Sequence, residues 1–578
     1  MNDQSTGRSR RWLWIAALCV LVAVHLHLLF SAAERQSVTF DEFAHVPAGA
    51  TYWTTDSFDI YAHNPPLIKL LTGGIALLAD AQVPVPDDRP AEPATFHWRF
   101  GEQFMLANWD RYPDLMLLAR IPVMALSVAG LLLVATWARR LYGLVGGLLA
   151  AVLYAASPTV CAHGSLATVD AGAAVMILAA AYTYWKFLRG RRWSHGLLTG
   201  LLTGAALLSK FTALLLLPLF LAAALVEIAR RRGRGAVRTL GGWSAVMLTA
   251  FVVVNMGYRW RGFGRGLESY EFLSDGCQQW QARLGNLPMP LPSAYIDGFD
   301  WQKAPTERPH PTYCAGQLVP STTWYYYPLA LWLKAPLAFL PLVALRLYAS
   351  WNSRRHFRHW ICHDGYLLLM PILFAAGFLL ATEVAGARYL LPCLPFVYIW
   401  LGGLAARRRP EPPARPAPAR WLMPAGLALA AMFVIEGQSV YPRYLCFFNR
   451  AVGGPDHGHR WLVDADLDWG QGLIDLREFM RERDISRIQL AYFGMADPGV
   501  YGIPYTLLLD RVESEWVAIS AYCWAGLDVD LRTPNEGTPI LVRGDFYAPF
   551  RALTPEALVG HTIFIYRFPP SPRPTEGH

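Results

Sequence analysis

The sequence predicts a polytopic α-helical membrane protein of about eleven spans, with external interfacial helices and a small C-terminal α/β domain. Three observations lead there. Of 578 residues, 54% are hydrophobic and only 16% charged, with a mean hydropathy of +0.25. Apolar runs near the ~20 residues needed to cross a bilayer recur along the chain. Lysines and arginines collect between alternate runs, and the pattern changes to strands and an amphipathic helix beyond residue 437.

The runs lie at about 12–30, 115–136, 142–162, 169–185, 195–209, 211–228, 240–257, 323–345, 365–382, 389–405 and 421–437. The fifth and sixth are short and meet at Lys210, so they form either two crossings or a re-entrant hairpin; the parity is the same. The first run begins after "RSRR" and ends in "SAA", like a signal peptide, but it exceeds the ~7–15 apolar residues of a cleaved signal and reads as an anchor.

Basic residues set the orientation. "RSRR", "ARRL", "KFLRGRRW", "ARRRGRGAVR", "SRRHFRH" and "ARRRPEPPARPAPAR" fall on one side if the spans alternate, whereas "HGSLATVD" and "EVAGAR" opposite are poor in them. This places the N-terminus in the cytoplasm and the C-terminus outside. The net charge of +8 is thus a topology signal, and nucleic acid is not an expected partner. Residues 1–437 form a membrane module with external loops at 31–114 and 258–322; residues 438–578 form the external α/β domain. In that tail, "WLVDADLDWG", "GLIDLREFMRERD" and "RIQLAYFG" read as strand, helix and strand, and "EWVAISAYCW" and "HTIFIYRF" as further strands. The Pro- and Arg-rich 407–420 reads as a flexible connection.

The first loop carries the notable charge. Asp41 and Glu42 stand side by side just beyond the anchor, although adjacent carboxylates repel and are costly to bury unpaired. Downstream, the two prolines of "HNPPLIKLLTGGIALLAD" end one element and start the next, a helix too short to span and suited to the interface. Outside a bacterial inner membrane there is no nucleotide-sugar or ATP pool, so energy for group transfer there comes from a lipid-carried activated group or an ion gradient. A lipid phosphate donor needs cations for the leaving phosphate, a carboxylate for the acceptor's proton, and exclusion of water. Asp41 and Glu42 are the candidate acids; neighbouring side chains diverge, so one can face the acceptor while the other orients it or pairs elsewhere. Lys69, Arg120, Lys210 and Arg388 are the candidate cations, against the alternative that long basic chains merely reach for the interface.

His45, His63 and the acids offer a metal set, but "DEFAH" lacks the second ligand of the zinc-peptidase motif. No metal or cofactor is therefore assigned. "DADLDWGQG" is half a calcium loop without its terminal Glu and reads as structural. The eight cysteines show no CxxC; Cys277 with Cys314, or Cys446 with Cys523, share a compartment and could pair.

"TFDEFAHVPAGATYW" followed by "HNPPLIKLL" resembles the first external loop of the GT-C membrane glycosyltransferases, in particular the dolichyl-phosphate-mannose–protein mannosyltransferase superfamily with its bacterial transferases of aminoarabinose to lipid A. "ARIPVMALS", "SPTVCAHGSLATVDAG", "GLLTGLLTGAALLSKFTALLLLP", "WYYYPLALWLKAPL" and "GARYLLPCLPF" extend the likeness, and "VDADLDWGQGLIDL" resembles the tail of bacterial members. The resemblance implies transfer of a hexose or pentose, with inversion, from a polyprenyl-phosphate co-substrate to a lipid, glycan or protein at the cell envelope. It implies Asp41 as base with Glu42 in support, Lys69 and Arg120 on the donor phosphate, Lys210 and Arg388 as further phosphate ligands, and Asp170 in "ATVDAG" as another site candidate. The loop at 258–322 is too short for the β-trefoil of the eukaryotic enzymes, so their protein acceptor does not carry over. The rival readings are a secondary transporter, which calls for mid-span charges and a repeat that the chain lacks, and a non-catalytic envelope assembly protein.

Overall fold

The computed structural model describes residues 2–55, 57–85, 96–190, 192–308, 310–321, 323–351, 364–380, 386–406, 421–509, 511–531 and 540–569. Cys362, the basic stretch 352–359 and the connection 407–420 lie outside them.

Each of the eleven apolar runs falls on helix. The anchor is Asn2–Glu34, and its apolar part is largely exposed, as suits a lipid-facing surface. The second and third runs form one continuous stretch, Ile121–Ala155, that folds back at Gly143, whose φ of 82° is a left-handed value open to glycine. The fold-back is plain from the packing: the Tyr154 hydroxyl reaches the Ser127 carbonyl, 3.3 Å away across the two limbs. Val169–Gly190, Trp193–Leu207, Phe211–Arg230 and Ala236–Gly257 follow. The run at 323–345 is broken: Tyr326–Lys334 and Phe339–Trp351 meet at 103° around Pro336, which cannot continue the helix before it. Tyr366–Leu380, Leu394–Leu401 and Leu422–Gly437 complete the set. Among the described residues, five segments are long and apolar enough to cross a membrane, or six with the bent pair, and four shorter apolar helices accompany them. The chain is a multi-pass membrane protein.

The first loop builds three short helices, Glu42–Thr54, Leu67–Leu78 and Phe96–Ala107. Leu67–Leu78 starts directly behind Pro65–Pro66, where the double proline predicts it. It crosses Glu42–Thr54 at paired glycines. A Cβ on Gly49 would stand 1.8 Å from the Lys69 carbonyl oxygen, and one on Gly73 would stand 2.1 Å from the Ala50 nitrogen. The second loop contributes the hairpin β1 (Pro311–Cys314) and β2 (Gln317–Pro320).

The C-terminal region is a small mixed sheet with helix Leu473–Glu482 packed on it. Strands β3 (Ile488–Ala491), β4 (Tyr505–Leu507), β5 (Trp516–Ser520), β8 (Ala557–Val559) and β9 (Ile563–Arg567) take the order β4-β3-β5-β9-β8, with β3 parallel to β4 and β5. β6 (Val529–Leu531) and β7 (Ile540–Val542) make a separate pair. One expectation is corrected: 461–470 is not a strand but a turn, Asp464–Asp466, whose flanking backbone bonds the first loop instead of the sheet. Cys277, Cys314, Cys446 and Cys523 are all free thiols, so neither considered pair is bridged. The tail also shares its core with the first loop: Val38, Phe43 and Tyr112 pack in one buried cluster with Leu473, Ile488 and Ile565.

Gly49→Ala is expected to force the two first-loop helices apart and to lower stability by about 1–3 kcal/mol, the usual cost of overpacking a tight contact. The fall in thermal unfolding midpoint of the detergent-purified protein measures it; an unchanged midpoint would show that the crossing is loose.

Candidate active site

Four charged side chains from four separate segments meet at one end of the helices. Asp41 caps helix Glu42–Thr54 with its backbone: its carbonyl accepts the N–H groups of Ala44 (3.2 Å) and His45 (3.0 Å). Its carboxylate makes no cap bond and accepts instead from Arg388 Nη1. That same nitrogen lies 3.8 Å from Asp170 Oδ2, and Asp170 Oδ1 accepts from Lys210 Nζ at 2.5 Å. Acid and base therefore alternate: Asp41, Arg388, Asp170, Lys210. Burial grades along the chain, from side-chain exposures of 17% and 15% at Asp41 and Arg388 to 2% and 6% at Asp170 and Lys210. The first pair is thus the end that a ligand can reach. Among the described residues, Asp170 Oδ2 has no hydrogen-bond donor although it is buried.

Helix ends bring these groups together. Asp170 lies in the first turn of Val169–Gly190, Lys210 follows the end of Trp193–Leu207, and Arg388 precedes Leu394–Leu401. Aromatic faces hold the cations: Lys210 Nζ lies 3.9 Å from the Tyr389 ring centre, and the Arg388 guanidinium lies 4.5 Å from that of Trp469.

Glu42 points the other way. It is fully buried and grips Arg120 with both oxygens, at 2.8 Å to Nε and 2.8 Å to Nη2. Arg120 Nη1 donates to the carbonyls of Ala33 and Gln36, and Nη2 to that of Ser37. All five guanidinium N–H donors are engaged, which leaves none for a phosphate. Burial alone would raise the Glu42 carboxyl, but the Arg120 charge and the N–H groups of Thr39 and Ala167 hold it below the usual carboxylate range. In this arrangement the Glu42–Arg120 pair fixes the loop from which Asp41 projects.

Lys69 is also saturated. Its ammonium donates to the Tyr52 hydroxyl (2.9 Å) and to the carbonyls of Tyr61 (2.5 Å) and Asn64 (2.6 Å), at 1% exposure. With no carboxylate partner, burial pushes its pKa well below the ordinary lysine value. In this arrangement no N–H of Lys69 faces a donor phosphate. His45 and His63 pack against Tyr61, with ring centres 5.2 and 5.4 Å away, and burial lowers both to about 4. Both ring nitrogens of His45 are buried without a partner. Among the described residues, no three His, Cys, Asp or Glu side chains converge as a metal set.

The tail loop is where the sequence reading fell short. Asp466 accepts from the Ala387 N–H (2.8 Å) and the Tyr326 hydroxyl (2.6 Å), next to Arg388. Gly386 adopts a φ of 84°, and a Cβ there would stand 3.3 Å from Ala465. On the other side, Phe40 N–H donates to the Trp469 carbonyl (3.0 Å) and Ser37 N–H to that of Gln471 (3.1 Å). "DADLDWGQG" therefore clasps both strands of chain that carry Asp41 and Arg388. Its run of acids was the available signal. A small cavity of about 20 Å³, lined by Ser157, Lys334, Pro336, Phe339, Ala387 and Leu394 among others, lies on the far side of Ala387. A cavity of about 570 Å³, lined by Trp109, Asp497 and Tyr505 among others, lies away from the charged chain.

The profile of the family described as dolichyl-phosphate-mannose-protein mannosyltransferase matches residues 114–258. That segment includes Asp170 and Lys210, so the match supports the resemblance to GT-C glycosyltransferases read from the motifs. No curated protein matches the chain. Among solved structures, ArnT from Cupriavidus metallidurans bound to undecaprenyl phosphate is similar over 74% of this chain and 65% of its own, at 14% identity and a TM-score of 0.45. The chain thus spans a little under two thirds of that protein's length. The archaeal oligosaccharyltransferase AglB from Archaeoglobus fulgidus, in complex with an inhibitory peptide and a dolichol-phosphate, is similar over 95% of this chain and 76% of its own, at 12% identity and a TM-score of 0.42.

Arg120→Met and Glu42→Gln are each expected to cost about 3–5 kcal/mol, because each strands a buried charge or its donors. The double replacement Glu42→Gln with Arg120→Met should recover part of this in a double-mutant cycle on detergent-purified protein. Strictly additive losses would contradict the pairing.

Proposed function

We propose that this protein is an integral-membrane glycosyltransferase that moves a sugar from a polyprenyl-phosphate donor to an extracytoplasmic acceptor, with inversion. The observation that carries this reading is the alternating chain Asp41–Arg388–Asp170–Lys210 at one end of the membrane helices, with its Asp41–Arg388 end accessible. The family match over 114–258 supports it.

Arg388 and Lys210 receive the donor phosphate. The phosphate competes with Asp41 for Arg388. Once Arg388 turns to the phosphate, Asp41 is released from its ion pair and becomes the base. It takes the proton of the acceptor's hydroxyl or amine as that atom attacks the anomeric carbon. The bond from the anomeric carbon to the phosphate oxygen breaks, and its electron pair leaves with the lipid phosphate. A leaving phosphate held by cations needs no proton, so one base suffices, and a single displacement inverts the anomeric centre. Glu42, Arg120 and Lys69 serve as buried supports rather than phosphate ligands. The N-terminus lies in the cytoplasm, the site faces the outer surface of a bacterial inner membrane, and residues 438–578 form a domain over it.

Asp41→Asn is expected to lower turnover of a radiolabelled polyprenyl-phosphate sugar in proteoliposomes by at least about 100-fold, as loss of a general base does. The same variant should bind undecaprenyl phosphate at least as tightly as wild type, because the competing carboxylate is neutralised. Near-wild-type turnover would remove Asp41 as the base.

A further inference from the structure

Asp464 is the one acid of the tail loop that stands open. Its neighbours are fixed: Val463 and Ala465 are buried, and Asp466 is bonded to Ala387 and Tyr326. Asp464 itself is exposed, and among the described residues it makes no ion pair. Its φ of 56° is a left-handed value that a non-glycine residue holds at a cost, and such outliers collect where a side chain must be aimed. Asp464 sits beside the charged chain: Ala465 packs against Gly386, and Asp466 accepts from the Ala387 N–H, next to Arg388. Burial pushes the Asp464 carboxyl up to about 6, with Arg388 opposing and Asp41 adding, so it shares their surroundings while remaining open on one side. His45, fully buried beside Asp41 and Asp170 with both ring nitrogens unpartnered, and the bare Oδ2 of Asp170 show polar capacity left unfilled at the same place.

A stack of aromatic rings runs between the two acids, with Phe493 buried and Phe40 and Tyr522 partly exposed at its ends. Phe40, adjacent to Asp41, stacks on Phe493 at 5.2 Å, and Phe493 stacks on Tyr522 at 3.6 Å. The Tyr522 N–H in turn donates to Asp468 Oδ2 of the tail loop, at 3.0 Å. A carboxylate beside stacked rings suits a sugar, with hydroxyls at its rim and an apolar face.

Building on the glycosyl-transfer reading, we propose that Asp464 is the acceptor-binding carboxylate of this site, and that the acceptor is itself a carbohydrate. Asp464 accepts a hydrogen bond from a hydroxyl next to the attacking one. The attacking hydroxyl gives its proton to Asp41, the new bond forms from its oxygen to the anomeric carbon, and the lipid phosphate departs with the electron pair. Asp464 ends the step as it began.

The test compares wild type, Asp464→Asn and Asp464→Gly. Three quantities are read: the polyprenyl-phosphate sugar that co-purifies, by native mass spectrometry; its turnover in membranes, with the cell's own envelope glycans as acceptors; and the unfolding midpoint. Donor occupancy should stay within about twofold, and turnover should fall by about 10- to 100-fold, the weight of one hydrogen bond to a charged group. Asp464→Gly relieves the left-handed backbone, so its midpoint should be equal or higher, which a merely structural residue would not give. Full turnover in Asp464→Asn, loss of donor from it, or a lowered midpoint in Asp464→Gly would each overturn the assignment. A wild type that carries and turns over no polyprenyl-phosphate sugar would overturn the glycosyl-transfer reading and this assignment with it. An unimpaired variant of an active wild type would overturn the assignment alone.

Discussion

A chain of alternating charges in an apolar protein constrains where its segments can go. Asp41, Arg388, Asp170 and Lys210 belong to the first loop and three different helix ends, and each would be costly to bury alone. Their mutual pairing ties those segments to one spot. The tail loop then closes over it, with Trp469 against the Arg388 guanidinium and Asp466 bonded to the backbone of Ala387. The site depends on the C-terminal region as much as on the membrane helices.

The charged groups divide by how fully they are satisfied. Arg120 has every donor engaged and Lys69 all three, so both hold structure in place. Arg388 keeps an accessible face and bridges two carboxylates, which is the condition for exchanging a partner. The adjacent acids at the head of the first loop make the same division. Glu42 turns inward to fix the backbone, and Asp41 turns toward the opening. A buried, geometrically saturated pair beside a reachable one keeps the reachable one in place without consuming it.

Much of the fold was legible in the sequence because its signals are strong. Apolar runs near bilayer length, double proline before Leu67 and the amphipathic 473–482 all fall where expected. The divergence of Asp41 and Glu42 was legible too, from the geometry of neighbouring residues. Other features were not, for identifiable reasons. The segment 461–470 alternates like a strand, yet its backbone partners lie far earlier in the chain, at Ala315 for Trp461 and Phe40 for Trp469. Arg120 and Arg388 look alike in sequence, since both sit near the start of an apolar run. Only the positions of Ala33, Gln36, Ser37 and Glu42 reveal that one has no donor left. Asp464 was hidden among the three acids of "DADLDWGQG", and its left-handed backbone is a tertiary property.

The central claim is that Arg388 and Lys210 hold a polyprenyl-phosphate sugar. The most direct measurement is native mass spectrometry of lipids that co-purify with the detergent-solubilised protein, comparing wild type with Arg388→Ala and Lys210→Ala. Wild type is expected to carry a lipid with the mass of a polyprenyl phosphate bearing one sugar, and both variants to lose it. Ordinary phospholipid alone on wild type, with no uptake of added polyprenyl-phosphate sugars, would contradict it.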